Sequence, residues 1–203
     1  MKVNMSDSQK VRRILLFSGH MIDAATRATA RFPPGAEPAA AKAIETALRL
    51  IKAGPHDLGI TEGACGGDLI FAEALLAHGA SLQLRLPFHE RQFCKKSVTY
   101  PKKKPPSDRW LRRFLEVRDH PRTSMQAMPD AHVPLPRNHD PYERCNLWML
   151  RDALAFGGRR VRFICLWNGE KGDGRGGTAH MMRRIEDQGG KAIWLDTRKL
   201  WRA

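Results

Sequence analysis

Cysteine is scarce and scattered in this chain: Cys65, Cys94, Cys145 and Cys165 form no CxxC pair. That spacing excludes a zinc ribbon and argues against a disulfide framework. The eight histidines include no HExxH or comparable spacing, so no metal site is expected. No apolar run approaches the roughly 20 residues that span a bilayer, and no membrane partner is expected. Near the N-terminus only Ile14–Phe17 is apolar, and Arg12 and Arg13 bound it, which is not the pattern of a secretory signal. A reducing cytoplasm is the expected location.

Acidic residues are also short: 21 Asp and Glu stand against 35 Lys and Arg, a formal charge of +14 over 203 residues. More than half of that surplus falls in residues 85–122, with twelve basic and four acidic side chains. Such a patch favours phosphorylated ligands, nucleic acid or acidic surfaces, without choosing among them. A solvated basic insertion reads equally well.

What the chain has in quantity is glycine, and in two places it is concentrated. Leu58-Gly59-Ile60-Thr61 runs into Glu62-Gly63-Ala64-Cys65-Gly66-Gly67-Asp68 and then an amphipathic stretch, Leu69–His78. Val161–Trp167 runs into Asn168–Thr178, with Gly172, Gly174, Gly176 and Gly177, and then Ala179–Gln188. Glycine permits tight turns and close approach of a ligand to the backbone. A helix start behind it supplies free N–H groups and partial positive charge, which suit phosphate. Neither loop matches GxGxxG or GxxxxGK[ST], so a dinucleotide dehydrogenase and a Walker-type ATPase are disfavoured.

Around these loops the pattern alternates. Strands are expected at Val11–Ser18, Leu58–Thr61, Ser81–Leu86, Val161–Trp167 and Ala192–Leu195, with helices between them. Residues 1–10 are polar and expected to be mobile, and residues 11–203 form a single domain. Between about 89 and 141 the periodicity fails, apart from a short helix candidate at Trp110–Val117. Four prolines in Met128–Pro141 exclude regular structure there. The expected fold is α/β: a Rossmann-like open parallel sheet of about five strands with helices on both faces. A basic insertion follows its third strand. In such sheets ligands bind beyond the carboxyl ends of the strands, which brings both glycine loops to one cleft.

The candidate ligand-binding residues lie at those strand ends. They are Ser18, Gly19, His20 and Asp23, then Arg27 and Arg31, whose guanidinium groups can clamp a phosphate. Gly63, Ala64, Cys65, Gly66 and Gly67 follow, with Asp68 either capping the helix or holding a ribose hydroxyl. The second loop contributes Gly174, Arg175, Gly176, Gly177 and Thr178. Glu62 and Asp173 are the acids nearest the cleft and the candidate catalytic pair for a glycosidic bond. Cys65 precedes a helix start, which lowers a thiol pKa, but no histidine adjoins it in sequence. No cofactor is called for.

Phe17–Asp23, Arg31-Phe32-Pro33 and Glu62–Glu73 together resemble the SLOG superfamily. That group includes the Rossmann-like domain of the DNA-processing protein of natural transformation and the cytokinin-activating phosphoribohydrolases. Gly172–Thr178 is similar to the GGDGPGGT-like run of SLOG-like domains found with tetratricopeptide repeats and nucleotide cyclases. The resemblance implies a nucleotide or nucleotide-derived ligand between the two loops, held by a sensor or effector domain. It also offers nucleotide N-glycosidic hydrolysis, but Met181 stands where the hydrolases' PGGxGTxxE motif carries its glutamate. A third reading is single-stranded nucleic-acid binding through Lys95–Lys104, Arg109, Arg112 and Arg113, with Trp110 as an exposed stacking surface. Helix Tyr142–Phe156 is assigned to packing or to self-association into a homo-oligomer.

Overall fold

A continuous run of four apolar residues, Ile14 to Phe17, marks β1 (Arg13–Gly19) as a strand covered on both faces, and all four side chains are fully buried. The computed structural model describes residues 11–24, 27–99, 109–129, 140–170 and 175–201. After β1 come α1 (Glu37–Leu50), β2 (Asp57–Thr61), α2 (Gly67–Ala77), β3 (Ser81–Leu86), α3 (Arg109–Asp119) and β4 (Thr123–Ala127). Then follow α4 (Pro141–Leu154), β5 (Val161–Trp167), α5 (Thr178–Asp187) and β6 (Lys191–Asp196). The strands form one parallel sheet in the order β4-β3-β2-β1-β5-β6. The sequence runs outward from β1 to β4, then returns to the other side of β1, so the topological switch lies between β1 and β5.

The sheet has six strands where five were expected, because the basic insertion holds a further helix–strand repeat, α3 and β4. The strand escapes a hydrophobic pattern search for a physical reason. It is an edge strand, Thr-Ser-Met-Gln-Ala, with Ser124 and Gln126 exposed and only one face half-covered. Residues 1–10, 100–108 and 130–139 lie outside the described part of the structure. The last two segments hold Lys102–Lys104 and most of the proline-rich stretch.

Two cores flank the sheet. On one face Leu15, Phe17, Leu82, Leu84 and Leu166 pack with α1, α2 and α3. On the other Ile14, Leu16, Ile60, Phe163 and Cys165 pack with Met149, Leu150 and Ala153 of α4 and with Met181 and Ile185 of α5. The apolar face of α4, assigned to packing or self-association, is thus spent inside the chain. Beneath the cleft, Phe17 and Phe71 stack with ring centroids 4.6 Å apart, joining β1 to α2. Phe71→Ala should leave a void in this joint and lower the unfolding free energy by about 3–5 kcal/mol, read by chemical denaturation.

Candidate functional site

At the carboxyl end of β1 the chain leaves the sheet through Ser18, Gly19 and His20, beside the switch. The His20 Nε2 accepts the main-chain N–H of Asn168 at 3.1 Å, tying the end of β1 to the end of β5. Asn168 Oδ1 stands 3.2 Å from the same nitrogen and accepts the Glu170 N–H. Burial, with the nearby Arg31 charge, lowers the His20 pKa to about 4. The ring is therefore neutral at physiological pH, with its proton on Nδ1.

The loop that follows is built around Asp23. Its Oδ2 accepts the N–H groups of Arg31 and Phe32, each at 2.7 Å, and Oδ1 pairs with Arg27 at 2.9 Å. Asp23 and Arg27 therefore brace the loop, and Arg31 comes to the cleft. Trp201 adds a second brace: its ring stacks on Phe32 and its Nε1 donates to the Arg31 carbonyl at 3.0 Å.

The first glycine loop is set by Gly66, whose φ of +103° belongs to glycine. A Cβ there would lie 2.6 Å from the Ile22 nitrogen, so the loop presses directly against the end of β1. Gly66 takes the N-cap position of α2, and Asp68, expected as the cap, sits two residues further on, in the first turn. Its carboxyl folds back under the loop, and Oδ2 accepts the Ala64 N–H at 3.3 Å. The Cys65 N–H goes to the Ser97 carbonyl at 2.8 Å and the Gly67 N–H to His20 at 3.1 Å. These three amides, expected to cradle phosphate, have protein acceptors instead. The loop packs between the end of β1 and a π-helical turn, Cys94–Val98, which supply two of these acceptors.

Between β1, the β2–α2 loop and α4 lies a cavity of about 410 Å³, within the size range of small-molecule sites. Ser18, Gly19, His20, Arg31, Glu62, Ala64 and Asp68 line it, as the sequence expected of a cleft at the strand ends. So do four residues that sequence reasoning missed: Asp140, Tyr142, Asn146 and Met149 of the α4 segment. Their signal was available, because positions 142, 146 and 149 share one helix face. The other sequence-predicted residues are not on the wall among the described residues. Gly63 faces Leu84 and Phe114, and Cys65 is buried.

The described part of the second loop packs against α4. A Cβ at Gly176 would lie 2.4 Å from the Glu143 carbonyl oxygen. The Gly176 carbonyl accepts from Asn146 Nδ2 at 3.0 Å, and its N–H donates to His180 Nδ1 at 3.2 Å. Arg175, Gly177 and Thr178 are likewise off the cavity wall. Asp173 and Gly174 lie outside the described residues.

Electrostatically the cavity is unusual. Burial, then the neighbouring Asp68, raises the Glu62 pKa well above the ordinary carboxyl range. Burial raises Asp68 to about 7, an effect the Ala64 amide softens. Gly19, Gly63 and the Thr61 hydroxyl also lie near this carboxyl, but none reaches hydrogen-bond geometry at Oδ1, which has no partner among the described residues. Opposite, the Tyr142 hydroxyl meets Ser97 Oγ at 2.9 Å. Perturbed acids gathered in a cleft mark functional sites. No group of His, Cys, Asp and Glu among the described residues is disposed to hold a metal ion.

The basic insertion offers no stacking surface at Trp110. That side chain is 6% exposed, under the Arg113 guanidinium at 4.2 Å and beside that of Arg109. Arg113 pairs in turn with Glu73 and Glu37, so its charge is committed within the fold.

No family model matches the chain, and no curated protein matches it. Among solved structures, DNA processing protein A (DprA) from Streptococcus pneumoniae is similar at 13% identity and a TM-score of 0.44. The match covers 93% of this chain and 51% of that one, so the chain spans about half the length of that protein. The doubly wound parallel sheet described above is the Rossmann-like fold that the sequence resemblance implies. No helix among the described residues is long and apolar enough to cross a membrane.

The acid pair gives a testable dependence on pH. Asp68 is about three units more basic in the folded state than as a free carboxyl, so between roughly pH 4 and 7 the native state binds the extra proton. Stability should therefore fall as pH rises through that window. In Asp68→Asn the slope should flatten, as measured by urea denaturation across pH 4 to 8.

Proposed function

We propose that the cavity binds a nucleotide or nucleotide-derived small molecule, and that the chain acts as a nucleotide-responsive sensor or effector domain in the cytoplasm. The observation that carries this reading is the 410 Å³ polar cavity at the carboxyl ends of β1 and β2, beside the switch of a doubly wound sheet. Its inventory suits the sugar and base better than the phosphate. Asn146 and Asp140 can meet a base edge or a ribose hydroxyl, and Tyr142 offers an aromatic wall. Arg31 is the cationic group on the wall and the natural contact for a phosphate at the cavity mouth. Thermal melting against nucleosides and their mono-, di- and triphosphates tests it. A bound ligand at about a hundred times its Kd should add roughly 2.7 kcal/mol and raise the midpoint. No shift with any of them overturns the proposal.

A second reading is favoured by one observation, two buried carboxyls with raised pKa values, Glu62 and Asp68, side by side on the cavity wall. A carboxyl that keeps its proton at neutral pH can deliver it to a departing base. An ionised neighbour can then stabilise the oxocarbenium-like sugar and take a proton from the attacking water. That chemistry would hydrolyse an N-glycosidic bond, breaking C1′–N and forming C1′–O. Its acid would come from the first loop, since Met181 is fully buried in the core beneath α5. Under this reading Glu62→Gln should cut base release about 10²- to 10⁴-fold while keeping the melting shift. Unchanged base release in that variant, followed by chromatography, excludes Glu62 as the acid.

A further inference from the structure

We infer that Trp201 is a positioning residue for the ligand's phosphate: it holds Arg31 on the cavity wall and so sets how strongly the cavity prefers a phosphorylated ligand to the bare nucleoside. The inference rests on the binding reading above and adds to it a residue beyond the cavity lining.

Arg31 reaches the cavity from an irregular loop rather than from a strand or helix, so its position is as firm as the contacts of that loop. Those contacts come from two sides. Asp23 accepts the N–H groups of Arg31 and Phe32, and its own N–H donates to the Phe32 carbonyl at 2.7 Å. Trp201 takes what Asp23 leaves. Its indole N–H donates to the Arg31 carbonyl, and its ring lies 5.2 Å from that of Phe32 at an interplanar angle of 13°. Phe32 is fully buried. Removing the indole therefore uncovers an apolar ring and takes a hydrogen bond from the residue that carries the guanidinium.

Trp201 is itself firmly placed. β6 ends in Asp196, whose Oδ1 caps a single helical turn, Thr197–Leu200, by accepting the Arg198 N–H at 3.0 Å. Trp201 continues that turn, its N–H donating to the carbonyl of the buried Thr197 at 3.3 Å. Support thus runs from the sheet through the turn and the indole to the loop. A guanidinium meets a phosphate through paired, directional N–H groups, so it loses affinity when its backbone drifts.

The Arg31 charge has a reporter on the same wall. Burial, then Arg31, holds the His20 pKa near 4. Asp23 and Arg27 act on that ring in opposite senses and are paired with each other, so their displacement largely cancels.

Calorimetry on the full chain with adenosine 5′-monophosphate and adenosine, joined to an NMR titration of the His20 ring, tests this. The variants are Trp201→Ala, Arg31→Ala and the two combined. Trp201→Ala is expected to weaken the monophosphate about tenfold, to leave adenosine within about twofold, and to raise the His20 pKa. In the Arg31→Ala background the Trp201 substitution should leave the ratio of the two affinities unchanged, because both residues act through one guanidinium. Trp201→Phe keeps a ring over Phe32 and loses the indole N–H, so its losses should be smaller. Equal weakening of both probes, an unchanged ratio, or the same loss of ratio in the Arg31→Ala background overturns the inference and leaves the binding proposal standing. If Trp201→Ala does not fold, Trp201→Phe decides, and no change in its affinity ratio or His20 pKa overturns the inference. If neither probe binds the parent chain but another nucleotide shifts its melting midpoint, the ratio is read with that nucleotide and its nucleoside. If nothing binds at all, both proposals fall.

Discussion

The site depends on one buried carboxyl. Asp68 could have capped α2 from outside, with solvent to spread its charge. Instead its side chain turns inward, takes the Ala64 amide and leaves its other oxygen buried without a hydrogen bond among the described residues. With Glu62 buried beside it, neither acid ionises freely: burial raises both, and the Asp68 charge raises Glu62 further. The loop amides that might have neutralised an anionic ligand are drawn into the protein's own hydrogen bonds. Three of the amides expected to cradle a phosphate are engaged within the protein, and three carboxyl groups line the pocket beside them.

The sheet that presents this pocket was legible almost strand by strand. Apolar runs such as Ile14–Phe17 and Val161–Trp167 mark strands covered on both faces, and glycine marks their exits. The sixth strand was not legible, because Thr123–Ala127 has half its side chains in solvent and no strong alternation of apolar residues. The same limit applies to α3. Its amphipathic pattern could be read, but Trp110 could not be known to be buried until Arg113 was found bridging Glu37 and Glu73 across other helices.

A cavity lies where the sequence placed a cleft, with a lining that only partly overlaps the expected residues. Ser18–His20, Arg31, Glu62, Ala64 and Asp68 were expected at strand ends, and the cavity lies there. Sequence could not show which loop amides are satisfied, since their acceptors, Ser97 and His20, come from distant parts of the chain. Nor did it assign α4 to the wall. That helix reads as a packing element because its strongest apolar residues, Trp148 and Leu150, are core, while Tyr142 and Asn146 on the adjoining face meet the cavity. The second glycine loop illustrates how one composition serves two ends: Gly176 is small because the backbone of α4 leaves it no room.

Trp201 carries a consequence for the chain as a mechanical object. Through its stack on Phe32 and its hydrogen bond to the Arg31 carbonyl, a residue far along the sequence holds the loop that brings Arg31 to the cavity. Segments 170 positions apart in sequence therefore meet at this loop, and loss of the Trp201 ring should loosen the support behind Arg31.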